Sequence, residues 1–180
     1  MKQPANHHRR TIRLPEYDYA QPGVYFITVC THQRACLFGE IVDGEIRLSE
    51  LGHMVRDEWN KTQQIRPKIE LDQFVIMPNH FHAIIWIHDG RGTARRAPTG
   101  EPTYEQFGKP VAGSIPTVVR AFKSAVTRQI NFYRNTAGMP VWQRNYYEHI
   151  IRNEAELSAV REYITNNPHQ WTLDKDFVPG

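Results

Sequence analysis

Cysteine is scarce in this chain of 180 residues. Cys30 and Cys36 are the only two, too few for a disulfide framework and short of a zinc quartet. Long apolar runs are missing as well. A membrane helix needs roughly 20 such residues, and the longest candidate, Phe74 to Ile87, is broken by Pro78, Asn79, His80 and His82. The opening residues MKQPANHHRR lack the apolar stretch of a signal peptide. These absences lead us to expect a soluble, cytoplasmic protein with no membrane partner.

Acidic residues are missing from particular places. Residues 1–13 hold Lys2, Arg9, Arg10 and Arg13 and no acid, a charge of +4. Residues 90–135 carry +6, with eight basic residues against Glu101 and Glu105. The whole chain is only +3, so the remainder carries −7. Basic segments on an acidic body are the footprint of a polyanion partner. The composition is otherwise that of a folded protein: 40% hydrophobic, 23% charged and 11% aromatic, enough for one domain with a core.

The patterning predicts a basic N-terminal arm over residues 1–22 and a single catalytic-size domain over 23–172, with 173–180 as a tail. Within the domain, VYFITVC is rich in β-branched and aromatic residues and predicts a strand at 24–31. Asp43-Gly44 between short apolar runs predicts a hairpin. Ser49 is placed to cap a helix whose apolar positions are Leu51, Met54, Val55 and Trp59, ended by Pro67. Two strands follow, at 69–77 and 80–88, turning at Pro78-Asn79. Residues 89–113 hold Gly, Pro and Arg and predict a basic loop. A second helix starts at Ser114 or Pro116 and is ended by Gly138 and Pro140. VWQRNYYEHIIR reads as a strand. A last helix has Asn153 as its cap with Glu156 three residues on, and is stopped by Pro168. This order fits an α+β fold: a ferredoxin-like (split βαβ) sandwich, its antiparallel sheet carrying helices on one face, plus an extra C-terminal helix.

Two clusters carry chemistry. In a strand, His80 and His82 project to one face while Phe81 enters the core, and two imidazoles side by side can share a metal ion. On the last helix, Tyr163 and Asn167 lie one turn apart. The amide oxygen can complete a metal site that the imidazoles begin, and the phenol can attack an electrophile held there. Tyr133, Tyr146 and Tyr147 compete for the nucleophile's part on residue type alone.

The segments MPNHFHAIIW, GSIPTVVRAFKSAVT, VWQRNYYEHIIRNE and VREYITNNP, in this order, resemble the REP-associated tyrosine transposases. These are relatives of the single-strand insertion-sequence transposases within the HUH nuclease superfamily. The resemblance spans about residues 8–172. It implies that His80 and His82 are metal ligands, that Asn167 is the third, and that Tyr163 is the nucleophile carried on the C-terminal helix. It further implies a Mg²⁺- or Mn²⁺-dependent enzyme that cuts one DNA strand through a covalent 5′-phosphotyrosine and rejoins it. The expected partner is single-stranded or hairpin DNA of repetitive extragenic palindromes, bound by a monomer or homodimer at the nucleoid.

The chemistry agrees with that expectation. A phosphodiester is a poor electrophile, and coordinating its oxygens stabilises the charge that develops. A phosphotyrosine keeps the bond energy, so a 3′-OH can reverse the step. Arg9, Arg10 and Arg13 in the arm, Arg91, Arg95 and Arg96 in the loop, and Arg120 and Lys123 on the second helix are the candidate phosphate contacts. Tyr17, Tyr19 and Tyr104 are candidates for stacking on unpaired bases. The competing readings are a non-catalytic nucleic-acid-binding protein on the same fold and a histidine phosphoesterase without a covalent tyrosine.

Overall fold

The computed structural model describes residues 18–89, 111–174, 176 and 177. Its elements run β1 (Gly23–Cys30), β2 (Gly39–Val42), β3 (Glu45–Leu48), α1 (Glu50–Ile65), β4 (Ile69–Met77), β5 (His80–Ile87), α2 (Ile115–Arg134), β6 (Tyr147–Ile151) and α3 (Glu154–Asn166). Four strands form one antiparallel sheet in the order β4-β5-β1-β6, which is the ferredoxin-like arrangement. The β2–β3 hairpin stands apart as a small second sheet. Its turn places Asp43 and Gly44 at φ 54° and 80°, the left-handed geometry that an Asp-Gly pair accommodates at low cost.

The pleat divides the sheet into two faces with different tasks. Tyr25, Ile27 and Val29 of β1 and Phe81, Ala83 and Ile85 of β5 bury one face against α1 and α2, where Trp59 and Phe122 pack on Phe81. Phe26 and Ile84 point the other way and meet Leu157 and Ile164 of α3. The α+β expectation therefore holds, with α1 and α2 on one face and the extra C-terminal helix on the other. Ser49 caps α1, its hydroxyl accepting from the Gly52 N–H, a bond of about 1 kcal/mol. Asn153 caps α3 in the same manner through the Glu156 N–H.

Three local features differ from the sequence reading. The strand expected over VWQRNYYEHIIR is confined to Tyr147–Ile151, with only a single bridge between Thr31 and Trp142 before it. The cause is Lys123 on α2. Its ammonium donates to the carbonyls of Gln143, Arg144 and Asn145 at 2.6, 3.2 and 3.4 Å, carbonyls that a sheet ladder would otherwise use. Burial pushes this lysine's pKa down to about 8, against a smaller upward pull from Cys30. The second difference is the end of α2. It stops at Arg134 because Asn135 takes the left-handed conformation, φ 52° and ψ 43°, before Gly138 or Pro140 is reached. Third, Tyr19 is not an exposed stacking residue of the arm. It is buried beside Tyr25, and its carbonyl receives the Ile115 N–H.

Lys123→Met keeps the aliphatic stem and leaves those carbonyls without their donor. The expected cost is about 1–3 kcal/mol, measurable as a lower urea midpoint with an unchanged slope.

Candidate functional site

His80 and His82 sit at the start of β5, flanked by β4 and β1. Cys30 and Met77 are opposite His80, and Thr28 and Val75 are opposite His82. Both rings are fully buried and lie on the α3 face, 4.5 Å apart between centroids. Each is held by its Nδ1. His82 Nδ1 meets the Thr28 hydroxyl at 2.8 Å, and His80 Nδ1 meets Asn79 Oδ1 at 2.9 Å.

The Asn79 contact fixes a proton. The amide nitrogen of Asn79 donates to two backbone carbonyls, Arg34 O at 3.2 Å and Asp176 O at 2.8 Å. Neither carbonyl can donate, so the amide cannot be turned round. Its oxygen must then face His80, and Nδ1 must carry the hydrogen. His80 is thereby set as the tautomer whose Nε2 has a lone pair for a ligand, the usual outer-shell arrangement of a metal-binding imidazole.

Tyr163 lies on α3 with its hydroxyl 3.2 Å from His82 Nε2 and 3.2 Å from Asp174 Oδ2. Its ring stands edge-on to Phe26, and 36% of the residue is exposed. Burial, then the Asp174 carboxylate, push its phenol well above the usual tyrosine range. Asn167 follows one turn later as the helix cap, and its amide nitrogen donates to Asp174 Oδ2 at 2.9 Å. Asp174 feels opposing effects. Burial raises its pKa, but the Asp176 N–H, Asn167, His80 and Tyr163 together hold it below the usual carboxylate range.

α3 is pinned in this pose by a polar strut. Arg161 grips Asp72 with two bonds, at 3.1 and 2.6 Å, and Asp72 also accepts from the Trp86 indole at 2.9 Å. Asp72 falls where the β4–β5 register shifts between Leu71 and Phe74, a bulge that frees its side chain to reach the helix.

The structure thus brings His80, His82, Tyr163 and Asn167 together. It adds Asp174, Asn79 and Thr28, which sequence reasoning missed. Ligand atoms of His80, His82 and Asp174 all lie within 4.8 Å of one another. Asn167 Oδ1 is buried without a hydrogen-bond partner among the described residues, an acceptor that a bound ion or water would satisfy. Two imidazoles, a carboxylate and an amide oxygen fit a first-row divalent ion, and suit Mn²⁺ better than the all-oxygen preference of Mg²⁺. A pocket of about 330 Å³ opens over this group, lined by Phe26, Tyr147, Tyr163, Asn167 and Asp174.

The other candidate residues are placed differently. Arg120 is exposed on α2, and Lys123 is committed to its three carbonyls. Both sit on the helix that packs against the opposite face of the sheet. Tyr133 is exposed near the end of α2, while Tyr146 donates to Glu148 at 2.6 Å. Arg9, Arg10, Arg13, Arg91, Arg95 and Arg96, like Tyr17 and Tyr104, lie outside the described residues. Among the described residues no helix is long and apolar enough to cross a membrane.

The antiparallel sheet with its flanking helices resembles a solved structure, that of a REP-associated tyrosine transposase bound to a REP hairpin. The TM-score is 0.58 over 88% of this chain and 74% of that one, at 21% identity. The fold is therefore that of this class of transposase. No family model matches the chain. A Haemophilus influenzae protein named "Putative REP-associated tyrosine transposase" is 26% identical over 153 residues, 84% of this chain and 73% of its own length. Another Haemophilus influenzae protein, named only as uncharacterized, is 41% identical over 172 residues, 96% of this chain and 94% of its own. The chain belongs to one family with this last protein, and is a relative of the REP-associated tyrosine transposases.

The geometry sets an expectation for ion binding. In Mn²⁺ titrations followed by calorimetry, Asp174→Asn and Asn79→Ala should each weaken binding roughly 10–100-fold, with thermal unfolding showing that both variants remain folded.

Proposed function

We propose that this protein is a metal-dependent endonuclease and strand transferase acting on single-stranded DNA, with hairpins of the repetitive extragenic palindrome type as its substrate and Tyr163 as its nucleophile. The observation that carries this reading is the Tyr163 hydroxyl, 3.2 Å from both a buried imidazole and a carboxylate that themselves belong to one ligand cluster. A Mn²⁺ or Mg²⁺ ion held by His80, His82 and an oxygen of Asn167 or Asp174 would supply Lewis-acid stabilisation of the charge developing on the phosphate.

The chain's own residues do the rest. The Tyr163 oxygen forms a bond to phosphorus, and the bond from phosphorus to the departing 3′ oxygen breaks. The products are a 5′-phosphotyrosine and a free 3′-OH. The phenol proton passes to Asp174 Oδ2, which already accepts its hydrogen bond, and from there to the departing 3′ oxygen, which leaves as the hydroxyl. Attack of a 3′-OH on the phosphotyrosine runs the same step backwards and reseals or transfers the strand. Thr28 and Asn79 keep the two imidazoles oriented, and the Arg161–Asp72 strut keeps α3 in reach.

The experiment is a denaturing gel of protein incubated with labelled hairpin DNA and Mn²⁺. The wild type and the Tyr133→Phe, Tyr146→Phe and Tyr147→Phe variants should all show a covalent protein–DNA band. Tyr163→Phe loses one oxygen and little volume, so it should bind DNA and give no band. A chelator or His80→Ala should also abolish the band. A Tyr163→Phe protein that still forms the adduct would remove this tyrosine from the reaction, and cleavage without any adduct would replace the reading with a phosphoesterase.

A further inference from the structure

A second concavity lies on the α2 side of the sheet, away from Tyr163. It is a groove of about 520 Å³ between α2 and the segment leading to β6, with Ser124, Arg128 and Asn131 on one wall and Gly138, Trp142 and Arg144 on the other. Both walls are fixed. Lys123 ties down the carbonyls of residues 143–145. Asn131 donates to the Met139 carbonyl at 2.8 Å and accepts from the Thr136 hydroxyl.

The electrostatics of this groove are one-sided. From Gln106 to Tyr147 the sequence contains no Asp or Glu, and it contains Lys109, Arg120, Lys123, Arg128, Arg134 and Arg144. Arg34, Arg56 and Arg161 all pair with carboxylates. Arg128, Arg134 and Arg144 are exposed, and among the described residues they have no such partner. Glu58 of α1, which reaches α2, is taken by Gln129 and Lys61. Phe132, one helical turn beyond Arg128 and next to the groove residue Asn131, is 89% exposed, with Tyr133 at 58%. Phe132 and Tyr133 thus present two neighbouring aromatic rings to solvent on α2.

We propose that this groove is a second nucleic-acid contact, in which Arg128 and Arg144 hold the phosphates of a single strand and Phe132 stacks on an unpaired base. Guanidinium pairs on a rigid cleft match phosphate oxygens, and a free aromatic face beside them favours unpaired bases over duplex or an acidic protein. The groove and the pocket over Tyr163 are joined along the chain by a short segment. Gln143 and Arg144 wall the groove, Tyr147 walls the pocket over Tyr163, and β6 is the edge strand of that sheet among the described residues. The contact shares with the proposed function only its class of partner, and does not depend on Tyr163 being a nucleophile.

The test uses the full chain and two labelled probes, a dT30 oligonucleotide and a 30-base-pair duplex, with affinity measured by fluorescence anisotropy across a salt series. Arg128→Glu/Arg144→Glu should weaken dT30 binding at least tenfold. It should also make the log–log salt slope shallower by about 1.4, at roughly 0.7 per phosphate contact on single strands. Arg128→Lys/Arg144→Lys should retain most of the slope. Phe132→Ala should lose roughly fivefold or more on dT30 and little on the duplex. Unchanged affinity and slope in the double glutamate variant, or no binding of dT30 by the wild type, overturns the groove. An unaltered Phe132→Ala overturns the stacking. Adduct formation is scored separately. Groove-dependent binding without an adduct would sink the nuclease reading and leave the groove, and an adduct with no sensitivity at Arg128 and Arg144 would do the reverse.

Discussion

One carboxamide organises this protein's reactive side. Asn79 is fully buried in the turn between β4 and β5, where a polar group without partners would cost several kcal/mol. Two of its partners come from distant parts of the chain, the Arg34 carbonyl after β1 and the Asp176 carbonyl near the C-terminus, and the third is the ring of its neighbour His80. Satisfying this one side chain therefore docks the C-terminal segment, closes the end of the sheet and sets the His80 tautomer together. Arg34 reinforces the same junction with an ion pair to Asp176 at 3.0 Å. Asp174, two residues earlier, reaches Tyr163 and Asn167 because the segment that carries it is held there.

Helix α3 is fixed at its other end by a different kind of contact. Its apolar side, Leu157 and Ile164, seats it on Phe26, Val75 and Ile84, and apolar packing alone tolerates sliding by part of a turn. The Arg161–Asp72 fork does not, because two directional bonds define both distance and rotation. Tyr163 lies two residues beyond Arg161, so the strut's geometry passes directly to the phenol. The site thus has one fixed point on the sheet, at Asn79, and one on the helix, at Arg161. The His–Tyr distance is set between them.

Much of this was legible in the sequence, and the reasons are local. The H-x-H alternation at His80 and His82, the Asp43-Gly44 turn and the Ser49 and Asn153 caps each follow from contacts within a few residues. The i, i+4 pair Tyr163–Asn167 was readable for the same reason. Asp174 was not, since it lies past Pro168 in a stretch that reads as a tail, and only a short 3₁₀ turn at Trp171–Leu173 brings it back. Lys123 read as a solvated phosphate contact because helical periodicity cannot show that a neighbouring segment bends over to offer three carbonyls. That same bend removed the first half of the strand expected before Tyr147. Asn79 looked like turn chemistry, and the two carbonyls that fix its amide are 45 and 97 residues away in sequence.

The charges around Tyr163 carry a consequence for how such a site is controlled. Burial and the Asp174 carboxylate both oppose ionisation of the phenol, so the chain by itself holds the Tyr163 hydroxyl neutral. Asp174 is also one of the groups able to bind a cation with His80 and His82. A divalent charge at that position would neutralise the carboxylate that opposes the phenolate and add an attraction of its own. The carboxylate that opposes ionisation of Tyr163 would then be the group through which a bound cation favours it. Positioning and activation are separate in this arrangement. Protein contacts alone hold the Tyr163 oxygen 3.2 Å from His82, while the ease with which the phenol ionises would depend on the charge the ligand cluster holds.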